Sequence, residues 1–217
     1  MTPRSARRRA EVAIGVGRVA TSGAVVALLG LAYLDRIAVG DGNPFDYFGY
    51  FTNQTNLVVS VLLGTSGLLL LLERPVPPWL ATARGVATAC LLVVAVIYNG
   101  LIPGTGTAPA WVSAVLHVAF PLVAFLDWVL VGDRPRLAWR SWWIVLPYPV
   151  VWLAVVLVRG ATDGWVPYGF LLPERGLVSL LVHCVVLLVA LVAAGAVVWA
   201  TSRFRGTLLR RGPQVPA

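Results

Sequence analysis

Apolar residues along this chain collect in six long runs, at about 12–34, 47–72, 80–102, 109–131, 141–158 and 177–200, separated by short stretches rich in Pro, Gly and charge. Within each run the apolar positions are continuous rather than alternating. That pattern predicts buried helices, because lipid-facing strands alternate and must close into barrels. At 1.5 Å per residue, about 20 helical residues cross a hydrocarbon core of about 30 Å, and the runs meet that length. The expected fold is all-α: a six-helix transmembrane bundle in one domain over 1–217, ending in a basic tail at 201–217.

Composition agrees. Of the 217 residues, 59% are hydrophobic and 12% are charged, against about 25% charged in a soluble domain. The formal net charge of +8 raises nucleic-acid binding as a competing reading, and the positions of the basic residues exclude it. All seventeen are Arg, and thirteen fall on alternate gaps: Arg4, Arg7, Arg8 and Arg9 before the first run, Arg74 and Arg84 after the second, Arg134, Arg136 and Arg140 after the fourth, and Arg203, Arg205, Arg210 and Arg211 after the sixth. The opposite gaps hold Arg36, Arg159 and Arg175, and Arg18 lies inside the first run. By the positive-inside rule both termini are expected in the cytoplasm of a multi-pass cell-membrane protein. The Arg7-Arg8-Arg9 start resembles a secretory leader, but the run that follows is about 23 residues and no small-x-small site follows it, so it reads as a spanning helix.

The polar exceptions inside the runs then carry the information. Tyr50 to Val59 reads YFTNQTNLVV, five hydrogen-bonding side chains where an apolar run begins. With the orientation above, Thr52 lies roughly 8 Å below the outer end of its helix, His117 roughly 12 Å and His183 roughly 9 Å, and Tyr98-Asn99 end the third run on the same side. Polar groups in lipid are costly unless they face the bundle interior or a wet cavity, so a cluster at one depth marks a candidate site. The faces agree: Thr52, Asn56, Ser60 and Gly64 recur at i+4, as do Ser113, His117 and Pro121, with Ala110, Ala114 and Ala124 beside them. Pro121 is expected to kink its helix and free the His117 carbonyl. The inner halves of the helices read as almost purely apolar.

Asn53, Gln54 and Thr55 have two readings, interhelical hydrogen bonding or contact with a ligand. His183, one turn from Ser179, reads as a core residue or a pocket residue. The loop 159–175 is long and aromatic, with Trp165, Tyr168 and Phe170, which suits a lid or an interfacial belt, and Arg159 and Asp163 are placed to pair at its root. Cys90 and Cys184 lie in separate runs without CxxC spacing and read as core thiols. No metal site or cofactor motif is expected. The Asn53-Gln54-Thr55 sequon sits at a helix start in the membrane and is not read as an acceptor.

Four stretches, YFTNQTNLVV at Tyr50–Val59, VIYNGL at Val96–Leu101, AVLHVAFPL at Ala114–Leu122 and RGATDGWVPYGFL at Arg159–Leu171, make the chain resemble bacterial members of the androgen-induced-protein-like family of six-helix membrane proteins. The family includes hydrolases of fatty-acid esters of hydroxy fatty acids that use an intramembrane threonine and a histidine. The resemblance implies Thr52 as nucleophile and His117 as its partner. The QTN continuation departs from the animal enzymes, and His183 has no counterpart. A Thr hydroxyl does need a base at about 2.6–3.2 Å, which a neutral His supplies. No Gly-x-Ser-x-Gly elbow is present. Asn53, Gln54, Asn56 and Asn99 are the side-chain candidates for oxyanion donors, with His183, Trp165 and Tyr168 as further substrate-binding candidates. Two functions fit: a lipid-ester hydrolase acting on membrane lipids, and a non-catalytic protein that binds or transports a lipid or small molecule in the same pocket; a structural bundle with no ligand is a third reading, and the outer cluster of polar groups argues against it.

Overall fold

The computed structural model describes residues 3–104 and 108–210, so the part of the basic tail from 211 to 217 lies outside the described residues. Six helices are long and apolar enough to cross a membrane. They are α1 (Pro3–Ala38), α2 (Phe51–Leu71), α3 (Pro78–Leu101), α4 (Ala110–Leu130, containing a π-turn at Val115–Ala119), α5 (Pro147–Thr162) and α6 (Gly176–Thr201). This is a multi-pass integral membrane architecture.

Proline sets several starts, since a missing N–H costs nothing in the first helical turn: Pro78 opens α3, Pro147 opens α5 and Pro44 opens a four-residue turn at Pro44–Tyr47. Gly40, in the left-handed region at φ 81°, ends α1, and the N–H groups of Gly40 and Asp41 close back on Ile37 and Arg36.

Two boundaries differ from expectation. The first helix begins at Pro3 and runs to Ala38, well outside 12–34, because arginines at a membrane surface continue a helix without cost. The fifth span is split: Trp139–Val145 is a 3₁₀ segment and the α-helix starts only at Pro147, since a proline has no N–H to carry helical hydrogen bonding back into the preceding turn. At its other end α5 extends past 158 to Thr162, where Arg159 pairs with Asp46 at 2.7 Å and Asp163 at 2.8 Å.

Helix α3 is the most buried and α6 the least. Leu80, Ala81, Ala89, Cys90 and Leu91 on α3 are fully buried. Helix α2 lies between α1 and α3, and it meets α1 through small residues. A methyl group on Gly67 would stand 2.8 Å from the Arg18 Cβ and from the Gly15 carbonyl oxygen. Without that glycine pair the backbones would not approach closely enough for van der Waals packing to hold two apolar helices together in lipid.

That close approach carries Arg18 into the bundle, and the expectation of apolar inner halves is corrected here. Arg18 of α1 grips Asp127 of α4 through two bonds, 2.8 Å from Nε to Oδ1 and 3.0 Å from Nη2 to Oδ2. It also reaches Asp133 at 2.5 Å. Arg84, counted above among loop arginines, sits within α3 and bonds Asp127 at 2.5 Å and Asp133 at 3.2 Å. Two cations and two anions thus compensate one another's charge, the arrangement that offsets desolvation, and the buried Arg134 lies near enough to feel both carboxylates. Burial alone would raise the Asp133 carboxyl, but the Arg84 and Arg18 guanidiniums outweigh it and hold it well below the usual carboxylate range.

The tail end is closed by the chain itself. Val131–Gly132 (β1) pairs in parallel with Leu209–Arg210 (β2), and the N–H groups of Thr207 and Leu208 donate to the Leu130 carbonyl at 2.8 and 3.1 Å. Arg134 holds the last turn of α6 by donating to Val131 and Thr201 carbonyls at 2.6 and 3.0 Å. Its guanidinium stacks 4.6 Å from the centroid of the buried Trp128 ring.

Candidate functional site

At the opposite end of the bundle, α2 begins after Tyr50, which provides no side-chain cap. The first N–H groups of a helix have no carbonyl partner within it. Here a loop residue covers them: the Tyr168 hydroxyl oxygen accepts from the Thr52 N–H at 3.3 Å and also bonds the backbone of Phe51. The same hydroxyl lies 3.4 Å from Thr52 Oγ1. Because its oxygen already accepts from backbone, its proton is directed at Oγ1.

Across from Thr52, α4 is distorted by Pro121. In the π-turn the Phe120 N–H bonds Val115 rather than Leu116, and residue 121 has no N–H. The carbonyls of Leu116 and His117 therefore lose their α-helical donors. Two asparagines fill the gaps. Asn56 Nδ2 donates to the Leu116 carbonyl at 3.3 Å and to the Thr52 carbonyl at 2.8 Å. Asn99 Nδ2 donates to the His117 carbonyl at 3.2 Å and to that of Ala95 at 2.8 Å. The expected release of the His117 carbonyl is what the structure contains, with Asn99 as its new partner.

These bonds fix the backbone that carries His117, and a third fixes its ring. Nδ1 lies 2.9 Å from the Ser113 carbonyl. A carbonyl only accepts, so Nδ1 carries the proton of the neutral imidazole and Nε2 presents its lone pair. Nε2 lies 3.4 Å from Thr52 Oγ1. The directions then form one chain: Tyr168 donates to Thr52 Oγ1, the Thr52 hydroxyl donates to Nε2, and Nδ1 donates to Ser113. The 3.4 Å spacing is long for a hydrogen bond. On its other side the imidazole lies flat against the Tyr98 ring, with centroids 3.5 Å apart and planes 14° from parallel.

Thr52, Tyr98 and Tyr168 open onto a cavity of about 270 Å³ whose remaining lining is apolar apart from Cys184. It runs between α3, α5 and α6, past Val94, Leu153 and Leu191. Its mouth lies between α5 and α6, where the lining residues Val150 and Leu188 are 55% and 48% exposed on the outer surface of the bundle. Burial raises the Tyr168 phenol above its ordinary range, against the pull of its bonds to Thr52. It is therefore a protonated donor at neutral pH.

Thr52, His117 and Tyr168 come together. Asn56 and Asn99 stand beside them, but their amides are engaged by the α4 and α2 carbonyls. Asn53 donates to the Tyr47 carbonyl at 2.8 Å, and Gln54 Oε1 accepts from the Tyr148 hydroxyl at 3.2 Å. Trp165 packs edge-on against Tyr50 with Arg159 above it at 4.2 Å, outside the cavity. His183 stacks on Phe170 and holds the Ser179 carbonyl at 2.7 Å from Nδ1, apart from Thr52. The expected Arg159–Asp163 pair is present, and Cys90 and Cys184 are free thiols. On the helix faces, Ser113, Pro121 and Ala124 point inward while Ala110 and Ala114 point outward. Among the described residues no cluster of His, Cys, Asp or Glu is arranged to hold a metal ion.

Tyr98 was not among the residues singled out for chemistry. Its signal in the sequence is its place next to Asn99, one residue from an amide already assigned to the site. Compared with models of known families, with characterised proteins and with solved structures, the chain has no match.

Proposed function

We propose that this protein is a lipid-ester hydrolase with Thr52 as nucleophile and His117 as general base, its pocket in the outer half of a cell membrane and both termini in the cytoplasm. The observation that carries the reading is the position of the His117 Nε2 lone pair, held by the Nδ1 bond to Ser113 and aimed at Thr52 Oγ1 from 3.4 Å. The same reading agrees with the resemblance of the YFTNQTNLVV and AVLHVAFPL stretches to the androgen-induced-protein-like family, and the asymmetric arginines favour the orientation.

In this mechanism Oγ1 attacks the ester carbonyl carbon while its proton passes to Nε2. The carbonyl oxygen becomes an oxyanion beside the Tyr168 hydroxyl, which lies 3.4 Å from Oγ1, and the Thr52 N–H, bonded to the Tyr168 oxygen before reaction, turns to it as the second donor. As Oγ1 becomes bonded to carbon it loses basicity, and the Tyr168 proton turns to the oxyanion. Collapse breaks the bond to the leaving alcohol, which takes the proton from Nε2 and leaves an acyl-Thr52. Water, deprotonated by His117, then releases the fatty acid and restores the hydroxyl. The apolar cavity receives the acyl chain, and its mouth between α5 and α6 admits a substrate sideways from lipid.

A carrier would need a path through the bundle, and the Arg18–Asp127–Arg84–Asp133 cluster together with the buried Trp128 fills the tail end below the site. That favours chemistry over transport. The test is covalent labelling: a long-chain alkyl fluorophosphonate modifies the wild-type protein at Thr52, located by peptide mass spectrometry. Equal labelling of wild type and Thr52→Ala sinks the proposal.

Pro121→Ala probes the turn that presents the base. It restores an N–H that competes with Asn99 for the His117 carbonyl and draws the turn back toward α-register. Ester hydrolysis is expected to fall about 10- to 100-fold through misplacement of the imidazole, while the unfolding temperature in detergent holds or rises.

A further inference from the structure

A histidine that accepts a proton becomes an imidazolium, and in the Ser-His-Asp arrangement a carboxylate stabilises that charge. His117 forms no ion pair among the described residues. Of the nine carboxylates, Asp127 and Asp133 are taken up by Arg18 and Arg84, Asp46 and Asp163 by Arg159, Asp41 by Arg36, Glu11 by Arg7 and Glu73 by Arg8, and neither Asp35 nor Glu174 bonds the histidine. The Nδ1 proton goes to the Ser113 carbonyl, a neutral acceptor. In the reading of Thr52 and His117 as a hydrolytic pair, on which this inference rests, something else must favour the charged ring.

We propose that the Tyr98 ring does so, its face taking the place of the missing carboxylate as a cation–π partner for the His117 imidazolium. The rings lie 3.5 Å apart at 14°, inside the distance of about 6 Å over which an aromatic face attracts a cation. Two neutral rings stacked this way gain mainly dispersion, whereas a charged imidazole also gains from the electron-rich face. The contact therefore strengthens as Thr52 Oγ1 gives up its proton, so it raises kcat and leaves ground-state binding nearly unchanged. The fold holds both sides of the stack together. Tyr98 is followed by Asn99, whose amide is bonded to the His117 carbonyl at 3.2 Å, so the last turns of α3 grip the backbone and the ring of the same histidine. Tyr98 also lines the cavity, and His117 does not. The ring that faces the imidazole is thus also a wall of the cavity, while Nε2 keeps its line to Thr52 Oγ1. Tyr98 is a positioning residue that acts through His117.

The experiment is steady-state hydrolysis of a long-chain p-nitrophenyl ester by the full chain in detergent or vesicles. The proteins compared are wild type, Thr52→Ala, Tyr98→Phe, Tyr98→Leu, and a series with phenylalanines carrying one, two and three ring fluorines at position 98. Tyr98→Phe keeps the ring face and is expected to remain within about threefold of wild type. Tyr98→Leu is expected to lose about 10- to 30-fold in kcat, with KM changed less than about twofold. The fluorinated rings keep the shape and weaken the face, so kcat falls stepwise with each fluorine. This series remains decisive if Tyr98→Leu does not fold. A flat fluorine series, or a Tyr98→Leu loss that appears in KM rather than kcat, overturns the ring's role while an inactive Thr52→Ala leaves the hydrolase reading standing. Hydrolysis unaffected by Thr52→Ala overturns both.

Discussion

Thr52→Ala is expected to lower kcat for a long-chain acyl ester by about 10⁴-fold, His117→Ala by a similar factor, and the double variant by no more than either alone. Non-additivity is the diagnostic part. The hydroxyl is a weak nucleophile without a base, and the base has nothing to deprotonate without the hydroxyl, so removing one removes the contribution of both. Thr52→Ser keeps a hydroxyl within reach of Nε2 and is expected to retain activity within about tenfold, with the extra freedom of an unbranched side chain as its cost. Kinetics on the four proteins, each checked for its unfolding temperature in detergent, measure this. Additive losses would mean that Thr52 and His117 act separately, and the pair would then not be a catalytic unit.

The second large effect lies at the other end of the bundle. Asp127 accepts from both Arg18 and Arg84, two of its bonds forming a bidentate grip on Arg18. Asp127→Asn preserves the shape and removes the charge, leaving two buried guanidiniums facing one carboxylate. Breaking a buried pair in this way costs about 3–5 kcal/mol, which thermal unfolding in detergent will read as a lower midpoint and poor recovery of folded protein. Replacing a cation and an anion together, as in Arg84→Met with Asp127→Leu, is expected to recover much of the loss, because no uncompensated charge remains. If Asp127→Asn is neutral, the cluster is not a stabilising contact.

The same cluster sets a pH dependence. Asp133 has a folded-state pKa held far below the unfolded value of about 3.9. A carboxyl depressed on folding contributes stability that is fully present above its unfolded pKa and is lost as pH falls below it. The protein is therefore expected to hold its unfolding temperature from neutral pH down to about 5 and to lose it progressively below about 4. Asp133→Asn would flatten that acid limb.

Several parts of the site could be read from side-chain types alone. The i+4 spacing of Thr52, Asn56 and Ser60 placed them on one inward face, and all three are buried. Pro121 announced that the His117 carbonyl would need a new donor. The choice among donors was another matter. Four amides were available as oxyanion groups, and an amide side chain reveals nothing in sequence about which carbonyl it will meet. Asn56 and Asn99 are held by carbonyls that exist as acceptors only because the α4 turn is distorted. The oxyanion donors proposed here, the Thr52 N–H and the Tyr168 hydroxyl, include a backbone group that no residue pattern can mark. Arg18 did carry a signal, a charge within an apolar run, and Asp127 carried the complementary one. Because they lie 109 positions apart, only packing of α1 against its neighbours joins them.

Sequence by itself determined the number of helices, their apolar character and the residues that lipid would not tolerate, because hydropathy and helix length are local properties summed along the chain. Tertiary structure decided which of those polar residues became partners. The Thr52–His117 contact, the ring against ring packing of Tyr98 and the buried Arg–Asp cluster each depend on which helix lies beside which. In a membrane nearly every outward face is equally apolar, so that choice is made by close small-residue contacts such as Gly15 with Gly67 and by the pairing of the few buried polar groups.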